Sequence, residues 1–324
     1  MDPFSVDTLR ELVHAHIGAG LATVRLQPVR TGKHNRSFWV DCDAGRFVLR
    51  IAPPDDAGFL FYERLMMRQE PALHTLIRSR TEIPAAEIVS YDFDRQTIDR
   101  DYMFMAVLPG TPISEAEWLK PPMRERALTQ VGRLLRQLHG LKAPDCLGED
   151  AYGYLGAHRP MAPQPTWWEA FRTMWRMLLA DVEACGAYTP ELADAMGDLL
   201  DEHRVAFERP VASALLHMDV WDQNILIDQR GNVTGLVDFD RALWGDREIE
   251  FAVLDYCGIS EPAFWDGYGE ERESTDGAEV RRLFYLLYEV QKYMPIEVWR
   301  RGDVERAAMY REYSLRLAAP LWSA

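Results

Sequence analysis

The chain has 324 residues, of which 48% are hydrophobic and 27% charged, a composition typical of a folded protein large enough for two modest domains. Its net charge of −15 argues against nucleic acid as a partner, because the phosphates would be repelled. With no apolar run near the roughly 20 residues that span a bilayer, and no C-x-x-C pair among four cysteines, we expect a reduced, cytoplasmic protein without a membrane partner.

Short apolar and β-branched runs separated by turn residues fill the first third of the chain and predict a small sheet. The predicted strands are 21–29, 37–41, 46–51, 83–91 and 102–108. Helices are predicted before the first strand and in the middle of this region, at 7–17 and 65–78. Pro109 and Gly110 end the last strand and predict a boundary between a first domain, 1–108, and a second, 109–324.

The second domain is predicted to be mainly helical. Leu134, Leu135 and Leu138 follow Val131 at i+3, i+4 and i+7, which places all four on one helix face. Similar spacing predicts further helices at 167–185, 190–207, 279–293 and 304–317. One segment, 215–237, has the apolar runs of strands instead. It also contains the polar residues His217, Asp219 and Asn224, whose spacing is used below.

That segment is predicted to form a β-hairpin whose outer ends are polar. Because a hairpin brings its ends together, we expect Asp219, Asn224 and Asp238 to converge at one mouth. Phosphoryl transfer needs such a set, in which one carboxylate orients or deprotonates the acceptor hydroxyl while an amide and a second carboxylate hold Mg²⁺. We therefore predict that Asp219 is the catalytic carboxylate and that Asn224 and Asp238 are metal ligands.

The spacing of these residues supports that interpretation. Asp219 and Asn224 are separated as in the protein-kinase catalytic loop, and Asp238 follows where the metal-binding aspartate of D-F-G would stand. The alternative is a polar turn whose Asp and Asn side chains only bond to the backbone. The downstream Asp-Phe-Asp run and the strand-rich first third favour the catalytic interpretation.

These motifs resemble those of the aminoglycoside phosphotransferase and choline kinase-like family, which shares the protein-kinase fold. The family pattern H-G-D-x-x-x-x-N corresponds to 217–224, and its I-D-W/F-x-x-A-x-x-G-D-P pattern corresponds to 237–247. The resemblance covers nearly the whole chain. It implies an α+β fold of two lobes, with a small antiparallel sheet in the first and mainly helices in the second. It also implies ATP as co-substrate, with GTP left open, and Mg²⁺ as cofactor.

The resemblance further implies a set of nucleotide-binding positions in the first lobe. These positions are Gly32, Asn35, Ser37, Arg50, Glu70, Ala106 and Leu108. Arg50 stands where lysine is commoner in the family, and Glu70 would be its partner on a helix. Pro71 predicts that this helix begins or kinks beside Glu70, which argues against the pairing.

Three positions of the second lobe are interpreted as structural. His217 and Glu250 are expected to brace the catalytic loop, although a proton relay through His217 is the alternative. Met218 replaces the usual glycine of the family pattern. We therefore expect that this position does not require a positive φ.

Acidic stretches in the second lobe suggest the chemistry of the acceptor. Residues 109–324 carry −13 of the net charge, with eight carboxylates at 181–208 and seven at 261–279. Together with tryptophans near the motif, such as Trp221, they suit a small cationic acceptor such as an aminoglycoside. The alternative is that these carboxylates lie on solvated helix faces.

Other acceptors compete with an aminoglycoside. The runs DVWDQN and WGDREIEF resemble fructosamine kinases, which implies a glycated amine or a sugar as the alternative acceptor. A protein Ser/Thr kinase of the same family is a further possibility. From a different class comes a pseudokinase that binds nucleotide without turnover, against which the intact Asp219, Asn224 and Asp238 argue.

Overall fold

The structure, a computed structural model, describes residues 4–29, 34–56 and 58–323. Its first part is an antiparallel sheet of five strands in the order β1-β2-β3-β5-β4. The strands are β1 Arg25–Pro28, β2 Arg36–Cys42, β3 Gly45–Ile51, β4 Ile88–Asp92 and β5 Tyr102–Ala106. The rest is mainly helical, so the predicted α+β fold of two lobes is confirmed.

Two of the predicted strands begin later than expected. Residues 21–23 form a 3₁₀ turn, because the Thr23 amide and hydroxyl both donate to the Gly20 carbonyl at 2.8 and 2.7 Å. The strand predicted at 83–91 starts at Ile88. Pro84 lies in the missing part, and a proline has no N–H to donate to a neighbouring strand.

The alternation of side chains in the sheet separates a core face from a cleft face. Phe38, Leu49 and Phe104 are buried with their alternate neighbours against helix α1, Val6–Ile17. Because successive side chains of a strand point to opposite faces, Trp39 and Arg50 face the other way. That second face lines the cleft between the lobes.

Helix α2, Glu70–Arg80, follows a 3₁₀ turn at Met66–Gln69, so it starts five residues later than the predicted helix. Pro71 occupies the first helical turn, where the missing N–H would have had no intrahelical acceptor. The proline therefore starts the helix at Glu70 and leaves this side chain fully buried at the helix N-terminus.

The second lobe contains the remaining helices and three short strand pairs. The helices are α3 Pro121–Gly140, α4 Ala143–Leu147, α5 Trp167–Ala184, α6 Pro190–Glu202, α7 Arg247–Tyr256, α8 Pro262–Tyr268, α9 Asp276–Gln291, α10 Tyr293–Ile296 and α11 Val304–Trp322. The strands are β6 Thr111–Pro112, β7 Ala214–Leu216, β8 Ile225–Ile227, β9 Val233–Leu236 and β10 Leu243–Gly245. Within the described ranges, no helix is both long and apolar enough to cross a membrane.

The predicted hairpin is formed by β8 and β9, which pair antiparallel with Ile225 opposite Leu236. Its apolar side chains are buried against α3, together with Leu135 and Leu138. Strand β6 pairs with β8, and β7 pairs with β10. The chain leaves β7 at Leu216, enters β8 at Ile225 and leaves β9 at Leu236, so the segments 217–224 and 237–241 lie at the same end of the hairpin.

Candidate active site

The two segments at the end of the hairpin bring Asp219, Asn224 and Asp238 to one cleft. The Asn224 side-chain amide donates to the Asp219 carbonyl and to Asp219 Oδ2, both at 2.9 Å. The Val237 amide donates to the Asn224 carbonyl at 3.1 Å, which ties the two segments together just before Asp238. The convergence predicted from the hairpin is therefore present.

The cleft itself has a volume of about 330 Å³ and lies between the sheet and the hairpin. Apolar side chains form much of its lining, from the sheet at Val48 and Met105 and from the hairpin at Leu226 and Val237. Five of the predicted nucleotide-binding positions also line it, namely Asn35, Ser37, Arg50, Ala106 and Leu108. The sixth, Gly32, lies outside the described residues. The seventh, Glu70, does not line the cleft but accepts a hydrogen bond from Arg50.

Arg50 bridges the sheet and the catalytic segments. Its Nη1 donates to Glu70 Oε2 at 2.7 Å, and its Nη2 donates to Asp238 Oδ1 at 2.7 Å and lies 3.4 Å from Asp240 Oδ2. Pro71 had argued against the Arg50–Glu70 pair, but the pair is present, because the proline starts the helix instead of displacing Glu70 from it. We call Arg50, Glu70, Asp238 and Asp240 the Arg50 cluster.

The Arg50 cluster holds more negative than positive charge, with three carboxylates around one guanidinium. Burial raises the pKa of Asp238, and Arg50 opposes this only in part. Burial, then Asp238 and Glu70, raise the pKa of Asp240 well above its usual range. A buried group of like charges is stabilised by a cation, so the site favours binding of one.

The oxygens of Asn224 and Asp238 suit Mg²⁺ as that cation. Asn224 uses its amide nitrogen on Asp219, which leaves its carbonyl oxygen Oδ1 for a cation. Asp238 contacts Arg50 through Oδ1, and its side chain is 37% exposed in the cleft. Both are hard oxygen donors of the kind that Mg²⁺ prefers. In the described part of the chain, no group of three or more His, Cys, Asp or Glu side chains is arranged as a metal centre. A Mg²⁺ ion bound by one or two protein oxygens is typically completed by phosphate and water.

A second buried charge cluster surrounds Asp219. Arg241 Nη1 donates to Asp219 Oδ1 at 2.8 Å, and its Nη2 lies 3.3 Å from Glu289 Oε2. Lys292 Nζ lies 2.5 Å from the other Glu289 oxygen. Burial acts to raise the pKa of Asp219, but Arg241 and then Lys292 outweigh it and lower that pKa. We call these four residues the Arg241 cluster.

Sequence reasoning identified Asp219 but missed the other three members of the Arg241 cluster. Arg241 lies directly after the Asp-Phe-Asp run, a position next to the motif that could have identified it. Glu289 lies in the last turn of α9 and Lys292 directly follows that helix, and nothing in the local pattern distinguishes them from neighbouring residues. Only the packing of α9 against the catalytic segments reveals their contact with Arg241.

The backbone of the catalytic segment is held in an unusual conformation. Met218 has a φ of 65°, so the expectation that this position does not require a positive φ is wrong. The left-handed conformation costs a non-glycine residue roughly 1–2 kcal/mol. The Met218 side chain is fully buried, and its amide donates to Glu250 Oε1 at 2.7 Å. Core packing and this hydrogen bond offset the cost.

Glu250 ties the catalytic segment to two helices. Its carboxylate accepts the Met218 amide, the His217 amide at 3.1 Å and His139 Nε2 of α3 at 2.6 Å. Burial acts to raise the pKa of Glu250, but the hydrogen bond and charge of His139 outweigh it and lower that pKa. His217 Nε2 donates to the Val237 carbonyl at 3.1 Å. These contacts are those that the predicted bracing role of His217 and Glu250 requires.

A comparison with known families identifies the chain. The family model described as "Phosphotransferase enzyme family" matches residues 25–285, which is most of the chain and includes every cleft residue named above. The chain belongs to this phosphotransferase family. The predicted resemblance is thereby confirmed, and the chain is a phosphotransferase.

Curated relatives of the chain are described as probable ketoamine kinases. One from Vibrio parahaemolyticus is 26% identical over 265 residues, covering 80% of this chain and 82% of the relative. Another from Vibrio cholerae is 26% identical over 280 residues, covering 85% of this chain and 87% of the relative.

Solved structures share the fold. A protein described as a fructosamine-3-kinase from Haemophilus somnus has a TM-score of 0.66 at 17% identity, covering 95% of this chain and 96% of its own. Aminoglycoside phosphotransferase APH(4)-Ia, in a ternary complex with AMP-PNP and hygromycin B, has a TM-score of 0.63 at 18% identity, covering 96% and 99%. Both likenesses extend over nearly the whole chain.

The acidic stretches at 181–208 and 261–279 lie away from the cleft. None of the described residues that line it belongs to either stretch. Arginines of other segments pair with several of their carboxylates, as Arg172 does with Asp201. The second stretch lines a separate cavity of about 810 Å³ that contains none of the predicted site residues. The charge argument for a cationic acceptor therefore loses its structural basis.

Proposed function

We propose that the chain transfers the γ-phosphoryl group of ATP to a hydroxyl of a small molecule, with Mg²⁺ bound by Asn224 and Asp238. The observation that carries this proposal is the convergence of Asp219, Asn224 and Asp238 at the mouth of a cleft with an apolar lining. The apolar walls suit an adenine ring, and the Ala106 carbonyl and Leu108 amide would hold its edge. Asn35 and Ser37 would lie along the nucleotide.

Asp219 orients the acceptor hydroxyl in this proposal. Because Arg241 lowers its pKa, Asp219 remains a carboxylate that accepts a hydrogen bond from the hydroxyl but is a weak base. That is sufficient, since phosphoryl transfer through a loose transition state depends mainly on positioning and charge stabilisation. Arg50 contacts the phosphates from the sheet. Mg²⁺, when bound, would neutralise the charge on the transferring group.

The acceptor that we propose is a ketoamine, an amine-linked sugar derivative with several hydroxyls. The support is that relatives matching 80% to 85% of the chain are described as probable ketoamine kinases. Two runs resemble fructosamine kinases: DVWDQN begins with the cleft residue Asp219, and WGDREIEF begins at Trp244, shortly after the cleft residue Asp240. An aminoglycoside is the second candidate, favoured by the likeness to APH(4)-Ia in complex with hygromycin B.

An acceptor screen tests this proposal. We expect ADP release with MgATP to rise with a ketoamine such as fructoselysine, and less or not at all with aminoglycosides, choline, ethanolamine or simple sugars. Asp219→Asn serves as the inactive control. Absence of ADP release with every acceptor, from a chain that binds ATP, would contradict the proposal and favour a pseudokinase.

A further inference from the structure

Asp240 has no role in the function described so far, although it is buried beside the metal-binding carboxylate. Its Oδ2 lies 3.4 Å from Arg50 Nη2 and 3.4 Å from the Asn35 side-chain amide. Its backbone carbonyl accepts a 2.5 Å hydrogen bond from Gln69, which precedes α2. The side chain of Asp240 thus contacts β3 and the residue before β2, and its backbone contacts the turn before α2.

The contacts of Arg50 create a conflict with its proposed role on the nucleotide. Nη1 donates to Glu70 and Nη2 donates to Asp238, and the guanidinium is almost fully buried. Presenting Nη2 to a phosphate would therefore require Arg50 to release Asp238. That release would leave Asp238 beside Asp240 and the phosphate charges without a compensating cation.

We propose that Asp240 is a positioning residue for the nucleotide phosphates. With Glu70 it holds the Arg50 guanidinium against Asp238, so that Arg50 reaches a phosphate only when a divalent cation replaces it on Asp238. This inference rests on the proposed function, because it assumes that the cleft binds a magnesium nucleotide.

The planar fork of arginine is what makes this arrangement work. Two nitrogens of one guanidinium hold Glu70 and Asp238 at the same time, both at 2.7 Å. A lysine ammonium is a single point charge that does not span two carboxylates in this way. The consequence is a strong dependence of nucleotide affinity on Mg²⁺, measured as the ratio of the ADP dissociation constants without and with the metal.

Asp240→Asn tests the inference, since the amide keeps the shape and one acceptor oxygen but cannot carry a negative charge. The measurement is ADP binding by calorimetry, for the wild-type protein and the variant, in excess EDTA and in excess Mg²⁺. Removing one carboxylate close to the phosphates should tighten metal-free ADP binding roughly tenfold or more. Binding with Mg²⁺ should change less than about threefold, so the ratio falls. Asp240→Glu, which keeps the charge, should retain the wild-type ratio.

Glu115→Gln provides the matched control for charge alone. Glu115 is exposed and accepts from Gln223, a cleft-lining residue, without contacting Arg50. Its substitution should leave the ratio unchanged. An equal tightening in this control would attribute the effect to general electrostatics and overturn the inference.

The remaining outcomes also distinguish the alternatives. Loss of affinity only in the presence of Mg²⁺ would make Asp240 a metal ligand instead. Equal loss under both conditions would indicate a structural residue, and no change would show that Asp240 has no influence on Arg50. Each of these results overturns the inference. If wild-type protein binds no ADP with Mg²⁺, the proposed function itself fails, which is a separate result.

Discussion

The Arg50 cluster and the Arg241 cluster are two largely buried groups of charges that meet at one cleft, and they differ in the balance of positive and negative charge. Around Arg50, three carboxylates face one cation. Around Arg241, the two carboxylates of Asp219 and Glu289 face the two cations of Arg241 and Lys292. Both clusters include a carboxylate from the catalytic segments, yet only the Arg241 cluster is formally neutral.

This difference indicates a division of tasks. A cluster with excess negative charge is completed by a cation from outside, which suits the proposed metal and nucleotide side. A neutral cluster needs no further ion and instead fixes the position of its members, which suits a carboxylate that must orient a hydroxyl. Substitutions in one cluster should therefore affect nucleotide binding, and substitutions in the other should affect turnover.

The largest expected effect comes from Asp219→Asn. Because the acceptor hydroxyl loses the carboxylate that orients it, kcat should fall about a thousandfold. ADP affinity measured with Mg²⁺ should change little, since Asp219 belongs to the Arg241 cluster. Near-normal turnover of a verified acceptor by this variant would show that Asp219 is not the catalytic carboxylate.

Asp238→Ala should affect the Arg50 cluster and therefore nucleotide binding. Loss of a metal-binding carboxylate should weaken ADP binding in the presence of Mg²⁺ about a hundredfold. Adenosine, which carries no phosphate, should bind nearly as well as to the wild-type protein. Calorimetric titration with both ligands measures this, and an equal loss for the two would indicate misfolding instead.

Arg241→Met should remove the hydrogen bond that positions the Asp219 carboxylate while leaving Asp219 itself in place. We expect kcat to fall roughly thirtyfold, while the KM for ATP stays within about threefold. Arg281→Met is the matched control, because Arg281 is another buried arginine paired with carboxylates, Glu248 and Glu273. Both variants lose stability, so a similar fall of kcat in the control would remove the evidence for positioning by Arg241.

The smallest effect concerns Asp181, which accepts the Phe61 amide at 2.8 Å where the segment before α2 contacts α5. Burial raises the pKa of Asp181 to about 6, with Phe61 opposing the shift. A raised carboxyl pKa contributes stability that is fully present below the unfolded pKa of about 4 and is lost as pH rises through about 6.

In the wild-type protein, this titration lowers the free energy of unfolding as the pH rises from 4 to 6. Asp181→Asn removes the titrating group, so the free energy of unfolding of the variant should fall less over the same range. The expected change is about 1 kcal/mol, because the carboxylate is partly exposed and solvent screens it. Chemical denaturation across this range measures the effect. An unchanged pH profile would mean that Asp181 titrates normally.

The sequence was sufficient to predict the fold and the meeting of Asp219, Asn224 and Asp238. Hairpin geometry and motif spacing are local, so they can be recognised without tertiary contacts. The alternation of strand residues likewise places Arg50 on the cleft face.

What the sequence did not predict depends on packing between distant elements. Pro71 was interpreted as an obstacle to the Arg50–Glu70 pair, but the position of the helix start depends on the turn before it. Met218 adopts a positive φ because its buried side chain and its bond to Glu250 compensate. The acidic stretches were assigned to the acceptor from composition alone, which does not determine the direction in which a helix face points.

The central claim is transfer of phosphate to an acceptor, and ³¹P NMR of the reaction mixture tests it most directly. With MgATP and a ketoamine, we predict a new phosphate monoester signal on the acceptor that grows together with ADP. ADP accompanied only by inorganic phosphate, with every acceptor of the screen, would mean that the protein hydrolyses ATP and would contradict the account.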